Sequence, residues 1–169
     1  MQELAYIHDE QNVPEGLTEV PFLQAFSQGD MDDILNSSSI LECDKGDVVL
    51  EEGKSAHRIF LLLSGELEVI KNGERLATMS NSGVLFGEMA VLDDEHRTAN
   101  VVATCKTYCL AIDHKFLEDI RPKEQNPAFY AALYGYIAKV TAERLKATSA
   151  ELARVERELE KLKAERADA

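Results

Sequence analysis

NSGVLFGEMAVLDDEHRTANVVA, residues Asn81 to Ala103, is the stretch from which the fold follows. Its spacing predicts a short helix, Gly87 to Leu92, placed directly after a glycine and interrupting a series of β-like runs. Glu88 puts a carboxylate at the helix start, and an arginine, Arg97, follows nine residues later. Backbone N–H groups at a helix N-terminus point outward, and the helix dipole favours negative charge there. Gly87 lets the backbone approach a ligand closely. A carboxylate at such a place repels a phosphate, so Glu88 makes sense as an acceptor of hydrogen bonds from hydroxyls, with Arg97 supplying the positive charge. Together they describe a site for a ligand anionic at one end and rich in hydroxyls at the other, as a sugar phosphate is.

On either side of this stretch the hydrophobic period is that of strands. From Ser39, runs of four to seven residues rich in Val, Ile, Leu and Phe are separated by Lys45-Gly46-Asp47, Gly53-Lys54-Ser55, Ser64-Gly65, Asn72-Gly73 and Asn81-Ser82-Gly83. Asn72-Gly73 between LEVI and RLATM is a strong signal for a two-residue hairpin. Strands resume at Ala99 to Ala103 and Thr107 to Ile112. Further upstream, Met1 to Glu15 is a polar lead-in, and Leu17, Val20, Leu23, Phe26, Met31, Ile34 and Leu35 recur at helical spacing. Gly29-Asp30 is expected to split that region into two short helices.

Beyond Pro127 the pattern turns helical. Ala131, Tyr134, Ala138, Thr141, Leu145, Thr148, Leu152, Val155, Leu159 and Leu162 recur at spacings of three and four, a sustained heptad seam. A second stripe, Tyr130, Leu133, Ile137 and Val140, accompanies its first half. A solvated single helix would leave Leu152, Val155, Leu159 and Leu162 bare, so association through residues 131–166 is expected. Leucines occupy one core position and Thr141, Thr148 and Val155 the other, so the seam alone does not fix the number of helices.

The predicted fold class is α+β, mainly β: an antiparallel β-roll or jelly-roll-like barrel with short N-terminal helices, an inserted cassette helix and a long C-terminal coiled-coil helix. The predicted organisation is a lead-in over 1–16, a ligand-binding roll with flanking helices over 17–126 and the long helix over 127–169.

Composition narrows the function classes. The chain has 169 residues, 45% of them hydrophobic, and a formal net charge of −13. Seven basic and seven acidic side chains balance over Glu143 to Ala169, so the acidic excess lies upstream. Such a domain does not attract nucleic acid or anionic membrane nonspecifically. No apolar run approaches the ~18 residues of a membrane span, and the polar, acidic start MQELAYIHDEQ is no secretory signal. Three cysteines, Cys43, Cys105 and Cys109, lack metal-ligand spacing and read as reduced cytoplasmic thiols. His8, His57, His96 and His114 are scattered, so no metal site is expected. Neither a Ser/His/Asp nor a Cys/His arrangement nor a phosphate-cradling loop of nucleoside triphosphatases is visible, so no catalytic residues are expected and the chain reads as a non-enzyme.

FGEMAVL followed by HRTANV resembles the phosphate-binding cassette of cyclic-nucleotide-binding domains, found in catabolite-activator-type regulators, cyclic-nucleotide-dependent kinases and gated channels. PFLQAFS, the glycine in CDKGDVVLEEG and the FLLLSGELEVI hairpin extend the resemblance from about Leu17 to Lys146. It implies a ligand, cAMP or cGMP, and no cofactor. Gly87, Met89 and Ala90 would offer backbone N–H groups to the phosphate, and Arg97 would pair with it bidentately. Taken alone, Arg97 would read as a surface partner of Asp93, Asp94 or Glu95. Glu88 resembles the acceptor for the ribose 2′-hydroxyl. Thr98 either bridges phosphate and a guanine base or bonds the phosphate and ignores the base; Ala99 completes the set. Phe86 opens the candidate ligand-binding set; its side chain, like those of Val84 and Val102, either lines the base side or fills the core, the core being the favoured place for Phe86. His96 stands where the family often has proline and Asn100 where threonine is common, departures that bear on loop rigidity.

The resemblance further implies a regulator in which the helix from Pro127 moves as a lid, with Tyr134, Ile137, Thr141 and Arg144 as candidate base contacts in the same chain or its partner. It implies a parallel homodimer, acting on an unknown downstream protein. A winged helix-turn-helix follows this helix in catabolite-activator relatives. It is not expected here, where residues up to Ala169 read as charged coiled coil. The competing expectation is a dimeric scaffold whose pocket is occluded or binds nothing.

Overall fold

The computed structural model describes residues 1–5, 21–54, 57–88, 96–115, 119 and 123–167. The predicted cassette helix lies outside these residues from Met89 onward, as do Leu17 and Val20. The chain divides into two compact units, Met1–Ala132 and Leu133–Ala169.

The first unit is the β-roll. Its strands are β1 (Gln2–Ala5), β2 (Ser38–Cys43), β3 (Val48–Leu50), β4 (Arg58–Ser64), β5 (Leu67–Lys71), β6 (Glu74–Met79), β7 (Leu85–Phe86), β8 (Asn100–Ala103) and β9 (Thr107–Asp113). They form two antiparallel sheets, ordered β1-β2-β9-β4-β7 and β3-β8-β5-β6. Most turns therefore carry the chain from one sheet to the other. The exception read from the sequence is Asn72-Gly73: both residues have positive φ, at 53° and 79°, and Lys71 pairs with Glu74 across them. That twist matches the strands it joins.

Between the sheets lies a cluster of Leu41, Cys43, Leu50, Phe60, Leu62, Leu67, Phe86, Val101, Ala103, Cys109 and Ala111. Alternation along β4 and β9 sends Ile59, Leu61, Leu110 and Ile112 to the opposite face, yet they too are buried. Helix α1 (Gln28–Asn36) packs on β2, and its Ile34 and Leu35 are buried. A sheet covered on both faces explains why FLLLS reads as a continuous apolar run rather than an alternating one. Each fully buried Leu or Ile contributes roughly 1.5–3 kcal/mol.

The N-terminal helical region differs in detail from expectation. Gly29-Asp30 does not divide it; both residues lie in the first turn of α1. The break falls one turn earlier, between a 3₁₀ turn at Leu23–Ala25 and the cap Ser27. The Ser27 hydroxyl oxygen accepts from the Asp30 N–H at 3.3 Å, and the Asp30 carboxylate accepts from the Ser27 N–H at 3.2 Å. This reciprocal cap outweighs the helix-weakening tendency of Gly29.

The long helix is α2 (Pro127–Ala167). Proline suits its first turn, where the missing N–H has no helical partner to lose. Within the first unit, Phe129 packs against Phe26, ring centroids 5.2 Å apart. In the second unit Leu145, Leu152, Val155, Leu159 and Leu162 are exposed, between 47% and 65%.

Candidate anion-binding site

The site is assembled where β7 ends. Phe86 pairs with Phe60 of β4 and stacks on its ring at 5.2 Å, so of the two places that the sequence leaves open its side chain takes the core. The next residue, Gly87, takes φ +74°. A Cβ at Gly87 would stand 2.7 Å from Arg97 Nη1 and 3.1 Å from Phe60 Cδ2. Glycine is needed here for its backbone angle and for the room it leaves to the arginine.

Arg97 is held by backbone and side chain alike. Its N–H donates to the Lys54 carbonyl and its own carbonyl accepts from the Gly53 N–H, both at 2.9 Å. The side chain runs inward until Nη1 donates to the Gly87 carbonyl at 2.6 Å and Nη2 to the Arg58 carbonyl at 2.7 Å. The guanidinium carbon lies 5.6 Å from the centre of the Phe60 ring. Arg97 is only 5% exposed, and Nε has no hydrogen-bond partner among the described residues. Glu88 beside it is 4% exposed. Burial pushes the Arg97 pKa down, the larger effect, and the charge of Glu88 opposes it.

Among the described residues, this is a cation removed from water, opposed by the Glu88 carboxylate and left with an N–H to donate. An oxyanion would satisfy that N–H and add the charge that burial disfavours being without. The salt bridge from Arg97 to an acidic neighbour at 93–95 falls outside the described residues; the described hydrogen bonds go to carbonyls.

Gly87, Glu88 and Arg97 are thus brought together. Thr98 is exposed and Ala99 half-buried, both just past the arginine. Val84 packs against the inter-sheet cluster. Val102 is half-buried and, by alternation, on the face of β8 opposite the core residues Val101 and Ala103. Met89 and Ala90 lie outside the described residues, and Tyr134, Ile137, Thr141 and Arg144 lie on α2 in the second unit. A cavity of about 430 Å³ reaches Arg97, lined by Val48, Leu50 and Phe60 and by charges of both signs, Lys54 and Arg58 with Glu51 and Asp113; of the described candidate ligand-binding residues, only Arg97 lines it.

Sequence reasoning did not single out the carbonyl of Arg58 or the ring of Phe60, and it gave the Gly53-Lys54 turn no part in the site. All three act through backbone or packing, which residue type does not advertise; Gly53 was legible as a turn but not as the partner of Arg97. Among the described residues, no group of three or more His, Cys, Asp or Glu is placed to hold a metal.

Comparison with known proteins bears on the family and the fold. The cAMP-dependent protein kinase regulatory subunit of Hypocrea atroviridis is 36% identical over 88 residues, covering 52% of this chain and 19% of that one. Human cGMP-dependent protein kinase 2 is 28% identical over 147 residues, covering 83% and 19%. The chain therefore spans about a fifth of the length of these relatives. The solved regulatory subunit of a cAMP-independent protein kinase A from Trypanosoma brucei shares the fold at a TM-score of 0.62 and 18% identity, covering 75% of this chain and 46% of that one. The family profile for the cyclic nucleotide-binding domain matches residues 40–123, and it contains every strand that builds the Gly87–Arg97 site: the chain belongs to the cyclic nucleotide-binding domain family.

Proposed function

We propose that the chain is a cyclic-nucleotide sensor that binds cAMP or cGMP at Gly87, Glu88 and Arg97. The observation that carries this reading is the buried Arg97 guanidinium, whose Nε–H lacks a partner among the described residues while Glu88 stands beside it. The cyclic phosphate takes the place of that missing partner, and the 2′-hydroxyl donates to Glu88. Gly87, with Met89 and Ala90 after it, gives N–H groups to the phosphate. Thr98 and Ala99 close the phosphate end. Neither Arg97 nor Glu88 is set to cleave the phosphodiester, so the role is regulatory rather than catalytic.

The organisation proposed is a ligand domain over 17–126 and a signalling helix over 127–169. Tyr134, Ile137, Thr141 and Arg144 are proposed as base contacts, Val84 and Val102 as base-side residues, and residues 131–166 as the homodimer contact. A ligand moves such a helix only by its differential affinity for two arrangements; inverting a 1:99 equilibrium needs roughly a 10⁴-fold preference. A cytoplasmic location fits three free cysteines, and no described helix is long and apolar enough to cross a membrane. The second reading, a dimeric scaffold, rests on Arg97 already giving two hydrogen bonds to the protein's own carbonyls.

Calorimetry and thermal melting with cAMP, cGMP and their 2′-deoxy forms test the proposal. The expected result is a dissociation constant at or below about micromolar for at least one ribose form, with a raised melting temperature. No heat and no melting shift with either nucleotide would leave only the scaffold.

A further inference from the structure

Arg97 leans on a turn, and the turn leans on Asn100. Glu51 to Lys54 form a tight turn closed by the Lys54 N–H donating to the Glu51 carbonyl at 3.2 Å, with Gly53 at φ +77°. Glycine is the residue that this third turn position favours. Two groups of the turn, Gly53 N–H and Lys54 C=O, make the paired 2.9 Å bonds to the Arg97 backbone. A third, the Glu52 N–H, donates to Asn100 Oδ1 at 2.9 Å across 48 residues of sequence. Asn100 in turn is fixed at the start of β8, where it pairs with Ile70 of β5. The side-chain bond thus clamps the turn to the strand that leaves the site three residues after Arg97.

We propose that Asn100 is a positioning residue for the phosphate-binding arginine: it pins the Glu51–Lys54 turn, which sets where the Arg97 backbone lies and so where its guanidinium ends. This rests on the reading of Arg97 as the ligand-binding cation. The reach of Arg97 is constrained at its far end by two carbonyls, on Gly87 and Arg58, at 2.6 and 2.7 Å. A displaced backbone cannot keep both bonds and present the remaining N–H in the same direction; binding groups need support to within about 0.5 Å. Without the asparagine oxygen the half-buried Glu52 N–H also loses its partner, which drives the turn to move toward water.

The test compares Asn100→Ala and Asn100→Val, which remove the acceptor (valine also suits a strand), with Asn100→Asp, which keeps an acceptor oxygen at the same reach. Gly46→Ala, at φ +92° in the β2–β3 turn, serves as a control that lowers stability without touching the clamp. Cyclic-nucleotide affinity is read by calorimetry, stability by denaturation, and the Arg97 Nε–H exchange rate by nitrogen-resolved NMR of the ligand-free protein. The expected result is affinity weakened roughly three- to tenfold in the Ala and Val forms, the size of one hydrogen bond. Their Nε–H exchange should be faster, and both effects should be restored by Asp. Unchanged Nε–H exchange, no rescue by Asp, or an equal affinity loss in Gly46→Ala at matched stability overturns the proposal. Should the wild-type protein bind neither nucleotide, the sensor reading fails by itself, and the exchange rate with its rescue decides the role of Asn100.

Discussion

A guanidinium at 5% exposure carries a desolvation cost of several kcal/mol that two neutral carbonyls and the Glu88 carboxylate offset only in part. That imbalance is the physical content of the site. Arg97→Ala removes the cation, and a lost charge-assisted bond of ~1.5–3 kcal/mol corresponds to at least tenfold weaker nucleotide binding. Arg97→Lys is the sharper test. One ammonium cannot span Gly87 O and Arg58 O while also facing a phosphate, because it lacks the planar fork. It should bind nearly as poorly as alanine; lysine binding like wild type would mean that charge alone, not this geometry, holds the ligand. Glu88 predicts selectivity rather than strength. Glu88→Gln weakens the acceptor for a ribose hydroxyl, so the affinity ratio between cAMP and 2′-deoxy-cAMP should fall toward one. An unaltered ratio would confine Glu88 to balancing the charge of Arg97.

At the scale of elements, the turns that hand the chain between sheets differ in what they tolerate. Gly46 and Gly65 both have strongly positive φ, +92° and +98°, so alanine strains either backbone by about 1–2 kcal/mol. Nothing lies within 4 Å of a Cβ at Gly46, whereas at Gly65 it would meet Thr107 Oγ1 and, at 2.7 Å, the Lys106 carbonyl. Gly65→Ala should therefore cost clearly more in urea unfolding than Gly46→Ala; equal losses would mean that the β4–β5 turn shifts freely. Both glycines are visible as turn residues in the sequence, but only the approach of Thr107, 42 positions away, separates them. The same limit held elsewhere. Period and punctuation made β2 through β9 and α2 legible, because they are local. The capping box at Ser27 is equally local, and it marks the α1 boundary where Gly29-Asp30 does not. The clamp of Glu52 by Asn100 was not legible, since no local rule joins residues 48 apart. The cysteines give a further check. Burial in β9 pushes the Cys109 thiol up to about 12, and Cys43 in β2 is raised as well, while Cys105 is exposed. Alkylation of the native protein should mark Cys105 alone. A raised thiol pKa also means that stability is fully present below the unfolded value, 9.0, and declines as pH climbs from there toward about 12. Stability constant across that window would contradict the burial.

For the molecule as a whole, the acidic balance of −13 and the bare seam of α2 pull in opposite directions. Like charge keeps copies apart, yet Leu145, Leu152, Val155, Leu159 and Leu162 remain 47–65% exposed along one helix face. Over this stretch the helix is charge-neutral, and it satisfies part of its charge internally: Arg154 donates to Glu151 at 2.6 Å and Lys163 to Glu160 at 2.9 Å. The repulsion is thus kept away from the segment where apolar contact would be gained. If two copies pair in parallel through the seam, Glu158 faces the partner's Lys163, which attracts, and Glu151 faces the partner's Glu156, which repels. Sedimentation should show a concentration-dependent dimer. Leu152→Lys combined with Leu159→Lys should yield a monomer whose first unit keeps its fold, because neither leucine belongs to the β-roll. Glu156→Lys then reads orientation. In a parallel pair it converts the repelling contact into an attracting one on both sides, so the dimer should tighten and its melting temperature rise. In an antiparallel pair, Glu156 does not meet the partner's Glu151, and no such gain is available. A monomer at every concentration would remove the association altogether, and a dimer loosened by Glu156→Lys would rule out the parallel arrangement while leaving the seam intact.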